Sequence, residues 1–335
     1  MIKIKITDVA QRAGVSKSTV SQYLNGRFEY MSKETKKRVK AAVDDLNYIP
    51  NPIARSLKTD KTKMIGVIVR DITGYDTSRF IRGIHDYCKT SEYNALIYNT
   101  DFDPEIEAKS LHALNQLRVE GMLIASSGKN TSIITGFIEA GMQIVQFQIE
   151  HDGNEKNIVI CDYRQAAFEA TEYLIKLGHK RIGFVTQDFQ DIKSRRERYL
   201  GYVEAHERYN IPLDKQLTKY WDRETGFEES FMDILDPSVL PTAFFTQQLD
   251  ISTELLTIFK ENHISIPDDV SLLAFEEIPN AEFFQVPISV VKQESHKLGY
   301  EAAKLLIENI KSKNKAPNRI TIPCTLATRD SCIEV

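Results

Sequence analysis

From Met64 onward the chain alternates short apolar runs with segments whose apolar residues recur every three or four positions. IGVIV (65–69), ALIYN (95–99), GMLIAS (121–126) and IVQFQI (144–149) read as buried strands. Between them Phe80, Ile81, Ile84, Tyr87 and Cys88, and later Ile106, Leu111, Leu114 and Leu117, carry helical spacing. The pattern then restarts. RIGFVT (181–186) lies about 117 residues beyond Ile65, TAFFTQ (242–247) echoes GMLIAS, and SLLAFEE (271–277) echoes the strand at 144. Two α/β subdomains, each a doubly wound parallel sheet, are therefore expected in tandem. Ligands of such sheets bind beyond the carboxyl ends of the strands, so the pair can close on a ligand between them.

The first fifty residues follow another rhythm. Thr7 is a candidate N-cap for a short helix through Val9, Ala10 and Ala13, which Gly14 ends. Ser16 caps a second helix with Val20 and Leu24 on one side, and Asn25-Gly26 stops it. Ser32 caps a third through Val39, Ala42, Val43 and Leu46. Two helices joined by a tight turn with Gly form a helix-turn-helix unit, whose second helix enters the major groove. The outward residues of that helix are Lys17, Ser18, Ser21 and Gln22. Charge supports the division. Residues 1–63 hold 14 Lys and Arg against 6 Asp and Glu, and the remaining 272 hold 29 against 41, behind an overall net of −4. A basic head on an acidic body suits a polyanion-binding module joined to a second function.

The runs ITDVAQRAGVSKSTVSQYLNG and SKETKKRVKAAVDDLNYIPNPIARSL resemble the DNA-binding head of the lactose-repressor family of bacterial transcription regulators. The resemblance implies that Lys17, Ser18 and Gln22 read bases while Thr7, Ser16, Thr19, Ser21 and Asn25 fix the head on phosphates. Many members carry Arg where this chain has Gln22, and Gln favours adenine where Arg favours guanine. NPIARSLKT matches the family hinge: Asn51, Ala54 and Leu57 would contact DNA, with Leu57 wedging a base step open in the minor groove. On its own the segment starts well at Pro52 but is too short to be a stable isolated helix.

The body, down to ATRDS (327–331), resembles the periplasmic-binding-protein-like core of the same family. The division expected is a head over 1–50, a hinge over 51–62 and a core over 63–335. The core's N-subdomain takes about 63–161 plus 293–323, and its C-subdomain about 162–292 plus 324–335. The resemblance implies a homodimer on a pseudo-palindromic operator, a small sugar-like effector, a cytoplasmic location and no cofactor. Effector candidates follow the strands: Asp71, Tyr75, Asp76 and Ser126. Arg198 in SRRERYLGY matches the family's effector-contacting arginine, and Trp221 stands at the spacing of a pocket aromatic. Where many sugar-sensing members show acids or Asn-Asp, this chain has Gln148, Gln247 and Glu276. Fewer acids around Arg198 shift the expected effector from a neutral sugar to a sugar acid. Within the family, RFEYMSKET and VRDITGYDTSRF are most similar to regulators of hexuronate or ketodeoxygluconate catabolism in Gram-positive bacteria.

Other classes find little support. The chain lacks GxSxG, HExxH, GxxxxGK[ST] and GxGxxG, and its seven histidines are scattered, so neither an active site nor a metal site is expected. Its four cysteines show no ligand spacing, and no apolar stretch is long enough to span a membrane. Two alternatives stay open: a global catabolite regulator with a phosphorylated carrier protein as corepressor, and a sugar-binding protein without DNA function.

Overall fold

Ser16 and Ser32 each accept a backbone N–H three residues on, from Thr19 and Thr35 at 3.1 Å, and so begin α2 (Lys17–Leu24) and α3 (Lys33–Asp45). The helix before them, α1, spans Ile6–Ala13 and ends at Gly14 with φ +63°. Thr7 lies inside it and is not its cap. The Asp8 carboxylate instead accepts the Lys5 N–H at 2.7 Å, a charge-assisted bond at the positive helix end that a hydroxyl does not match. Val9, Ala10, Ala13, Val20, Val39 and Ala42 form the small core of this unit. The computed structural model describes residues 4–49, 61–151, 156–189, 191–312 and 316–335. Residues 51–60 of the expected hinge, with Asn51, Ala54 and Leu57, lie outside them.

The second unit begins at Lys63. Its first sheet takes β1 (Met64–Val69), β2 (Asn94–Asn99), β3 (Gly121–Ile124), β4 (Gln143–Phe147) and β5 (Asn157–Cys161), and later β12 (Asn318–Ile322). Its second takes β6 (Ile182–Thr186), β7 (Thr218–Asp222), β8 (Gly226–Phe227), β9 (Ala243–Thr246), β10 (Ser271–Phe275), β11 (Ser289–Lys292) and β13 (Thr325–Ala327). The orders are β2-β1-β3-β4-β5-β12 and β8-β7-β6-β9-β10-β11-β13. Among the described residues only β8 and β13 pair antiparallel. The internal repeat in the sequence is thus one strand order laid down twice. The chain passes between the sheets after β5, after β11 and after β12, so three crossovers join the halves.

Helices α4 (Tyr75–Ser91), α5 (Pro104–Gln116), α6 (Thr131–Glu139) and α10 (Ser295–Ser312) cover the first sheet. The second carries α7 (Tyr163–Lys176), α8 (Lys193–Arg208) and α9 (Leu249–Glu261). β1, β3, β6, β9 and β10 are almost wholly buried, as strands covered on both faces must be. Among the described residues no helix is long and apolar enough to cross a membrane.

Candidate functional site

The carboxyl ends of the two sheets face one cavity of about 130 Å³. Most wall residues come from a strand end or a first helical turn, and Arg198 comes from a second turn. Arg70 and Asp71 follow β1, Tyr75 and Asp76 open α4, and Phe102 follows β2. From the other half come Arg195 and Arg198 on α8, Arg223 after β7, Gln248 and Asp250 after β9, and Glu276 and Glu277 after β10.

Two wall residues occupy equivalent places in the repeat and share an unusual backbone. Gln148 after β4 has φ +66° and Glu276 after β10 has φ +103°. Side chains other than Gly rarely adopt such angles, and strain of this kind persists where the surroundings enforce it. Here the neighbouring strand does so: Gln148 N–H donates to Val159 at 3.0 Å and Glu276 N–H to Val291 at 3.1 Å. Tyr163 hydroxyl adds a third restraint by donating to the Gln148 carbonyl at 2.6 Å.

Arg198 is 7% exposed, and its Nη1 donates to the Gln247 carbonyl at 2.6 Å. Its guanidinium lies 4.2 Å from the Phe275 ring centroid and 4.6 Å from that of Tyr163. The Arg198 Nε is buried without a partner, as are the Arg70 Nε and the Gln248 Oε1. Carboxylates stand near, but not as its ion-pair partners. Asp76 accepts from Ser295 Oγ and from Gln293 Nε2 at 3.2 Å, and the same amide reaches Glu276 at 3.5 Å. Burial raises both acids, and Asp76's charge adds to burial in pushing Glu276 up to about 7. The cations move the other way. Burial, with Arg223 beside it, lowers Arg70 to about 10. Burial, then Arg70, Arg198 and Arg223, lowers Arg195 to about 9. A cavity that depresses guanidinium groups this far favours an incoming negative charge.

Of the residues expected from the sequence, the structure brings Asp71, Tyr75, Asp76, Gln148, Arg198 and Glu276 to the cavity wall. Three others are elsewhere. Ser126 is buried beside Glu107, to which it donates at 3.4 Å, and its Oγ accepts the Gly128 N–H at 3.0 Å, so it shapes its own loop. Trp221 packs with Phe231 and Phe244 in the second sheet's core, its Nε1 satisfied by Glu254 at 2.6 Å. Gln247 still continues the strand ladder, its N–H bonded to Val185 at 2.9 Å, so alternation turns its side chain inward and leaves Gln248 on the wall. Phe102, Arg195, Arg223 and Asp250 are wall residues absent from the expected set, whereas Arg70 and Gln248 adjoin Asp71 and Gln247 at strand ends already marked as candidate positions. One had a sequence signal: Arg195 precedes Arg198 by three on a helix, hence on the same face.

In the head, Val20 is the buried residue of α2, which turns Lys17, Ser18 and Gln22 outward. Thr7, Ser16 and Asn25 are also exposed, while Thr19 and Ser21 are half-buried. Thr19 Oγ1 lies 2.9 Å from Ser16 Oγ, and Asn25 donates to the Ser21 carbonyl at 2.7 Å.

Residues 5–51 match the family described as bacterial regulatory proteins, lacI family, and residues 171–332 match a periplasmic binding protein-like domain. The probable HTH-type transcriptional regulator EndR of Paenibacillus polymyxa is 34% identical, over 92% of this chain and 91% of its own length. The HTH-type transcriptional repressor PurR of Haemophilus influenzae (strain PittEE) is 30% identical over 97% of this chain and 98% of its own. The crystal structure of the lac repressor dimer bound to operator and the anti-inducer ONPF aligns at a TM-score of 0.82 with 21% identity. That alignment covers 98% of this chain and 99% of the repressor chain.

Proposed function

Because this chain belongs to the lacI family of bacterial regulatory proteins, we propose that it represses carbohydrate catabolism genes and is released from its operator by a sugar acid. It works in the cytoplasm as a homodimer on a pseudo-palindromic operator; the lac repressor, whose fold it shares, is a dimer bound to operator in its crystal structure. The observation that carries the effector class is Arg198, a buried guanidinium on the cavity wall with an unpartnered Nε. A planar, permanently charged fork in that position suits a carboxylate. A ligand touching Arg70 on one side and Arg198 on the other favours one spacing of the two sheets, and only such differential affinity can move the operator equilibrium. The match to regulators of hexuronate or ketodeoxygluconate catabolism belongs to this same reading.

The test is a mobility shift of the full chain on DNA upstream of its own gene, titrated with a six-carbon sugar acid and its neutral parent. The acid is expected to release the DNA at lower concentration. Equal potency, or release by the neutral sugar alone, would overturn the effector class and leave the DNA-binding role standing.

On the DNA side we assign base reading to Lys17, Ser18 and Gln22, and backbone contacts to Thr7, Ser16, Thr19, Ser21 and Asn25. Asn51, Ala54 and Leu57 are assigned to the hinge contact. Gln22→Ala is expected to weaken specific binding by roughly 1–3 kcal/mol and to relax one base pair per half-site. Selection of binding sites from random DNA reads this directly. An unchanged half-site would place the recognition surface elsewhere.

A further inference from the structure

The cavity wall holds more positive charge than one carboxylate balances. Four arginines line it: Arg70, Arg195, Arg198 and Arg223. Arg223 pairs with Asp250 at 2.7 Å. Among the described residues the other three form no ion pair. Glu107 near Arg70 and Asp188 near Arg195 offset part of this charge, though among the described residues neither forms an ion pair with them, and the acids of the wall itself are engaged elsewhere. Glu277 is held by both oxygens to Arg329, at 2.8 and 2.9 Å, and also by Lys292 at 3.2 Å. Asp71 is turned to its own loop, accepting the Thr73 N–H at 2.9 Å. Asp76 and Glu276 repel one another across the Gln293 amide, and both bind protons more readily than free carboxylates.

The arginines also fall into two groups. Arg198 stands alone on the Tyr163 and Phe275 rings. Arg70 and Arg223 both lie against Phe102, at 4.7 and 4.0 Å from its centroid. Arg195 is anchored by the Asp188 carbonyl at 2.9 Å and by Gln187, and it feels Arg70 more strongly than Arg198. Each group contains one buried Nε without a partner, that of Arg198 in the first and of Arg70 in the second. Unpaired buried cations are costly, and a bound anion relieves the cost wherever its charge is placed.

We infer that the ligand is a monosaccharide-sized dianion, with one anionic group against Arg198 and the second among Arg70, Arg195 and Arg223. The inference rests on the effector reading above and sharpens it. The first group is a carboxylate by that reading; the second is a carboxylate or a phosphate at the far end of the same skeleton. The hydroxyls between them meet Gln248 and Glu276.

Calorimetric titration of the full chain with four matched six-carbon compounds tests this: a neutral polyol, the aldonic acid, the aldaric diacid, and the aldonic acid phosphorylated at its far hydroxyl. At least one dianion is expected to bind tenfold or more tightly than the aldonic acid, and the better of the two identifies the second group. Arg70→Gln is expected to bring that dianion down to the level of the mono-acid, and Arg70→Lys to keep most of the gain. Equal affinity for mono-acid and both dianions removes the second anionic group and leaves the sugar-acid reading intact. Affinity for the polyol equal to the rest, or no binding by any of the four, overturns both. If Arg70→Gln fails to fold, the ligand series on the unaltered chain decides alone.

Discussion

Replacing Arg198 with alanine is expected to yield a repressor that stays on its operator at any effector concentration. The side chain is buried and held by the Gln247 carbonyl and two aromatic faces, so it is already in place before a ligand arrives. Little ordering cost is then charged to binding. Removing it strips the ligand of its charge-assisted contact and leaves the Gln247 carbonyl without its donor. Truncating one member of a buried charged pair costs roughly 2–5 kcal/mol, which is about thirtyfold in affinity at the least. Calorimetry on the full chain reads the affinity, and a mobility shift with effector present reads the failed release. Arg198→Lys keeps the charge but loses the planar fork, and is expected to fall between the two. An alanine variant that binds the acid as before would remove Arg198 from the site.

A stability effect of similar size is expected at Gly83, where α4 crosses α10. A Cβ added there would lie 2.0 Å from the His296 carbonyl oxygen and 2.8 Å from the Tyr300 nitrogen. The contact is reciprocal, since a Cβ on Gly299 would lie 2.1 Å from the Phe80 carbonyl oxygen. These are backbone atoms, and they yield only if the helices part. Two effects compete in Gly83→Ala. Helix propensity favours alanine by about 1 kcal/mol, whereas overpacking a tight contact costs typically 1–3 kcal/mol or more. At an approach this close the clash prevails. Melting of the full chain should show the core transition lowered by several degrees, at roughly 2–4 °C per kcal/mol. Ligand affinity should fall with it, because the same two helices carry Asp76 and Ser295, whose bond spans their first turns. A raised melting temperature would mean that propensity, not packing, governs the crossing.

Fold class and the doubled α/β plan are written in local pattern. IGVIV and RIGFVT are continuous apolar runs because strands covered on both faces need them, and that signal survives in any single stretch of sequence. The caps at Ser16 and Ser32 are equally local, since each spans three residues. Thr7 shows where local signals compete: a carboxylate one position later took the helix end.

Part of the cavity was visible in the same way. Position after a strand pointed to Asp71, Tyr75 and Asp76, while the resemblance to the family supplied Gln148, Glu276 and, through SRRERYLGY, Arg198. A strand-end position does not say which way a side chain turns, however. Gln247 and Gln248 are neighbours, and the ladder bond from Gln247 to Val185 decides which of them faces the cavity. Trp221 met the spacing rule but found a partner for its N–H in Glu254 and so buried with the core.

By itself, then, the sequence determined the helix-turn-helix head and the two sheets, because each depends on residues close together along the chain, while Arg198 was reached through the family motif it resembles. The charge of the cavity was decided only by the tertiary structure. Arg70, Arg195 and Arg223 lie far apart in sequence and stand on different elements. They share one cavity because three crossovers bring the carboxyl ends of two separate sheets face to face, and only there do their fields overlap.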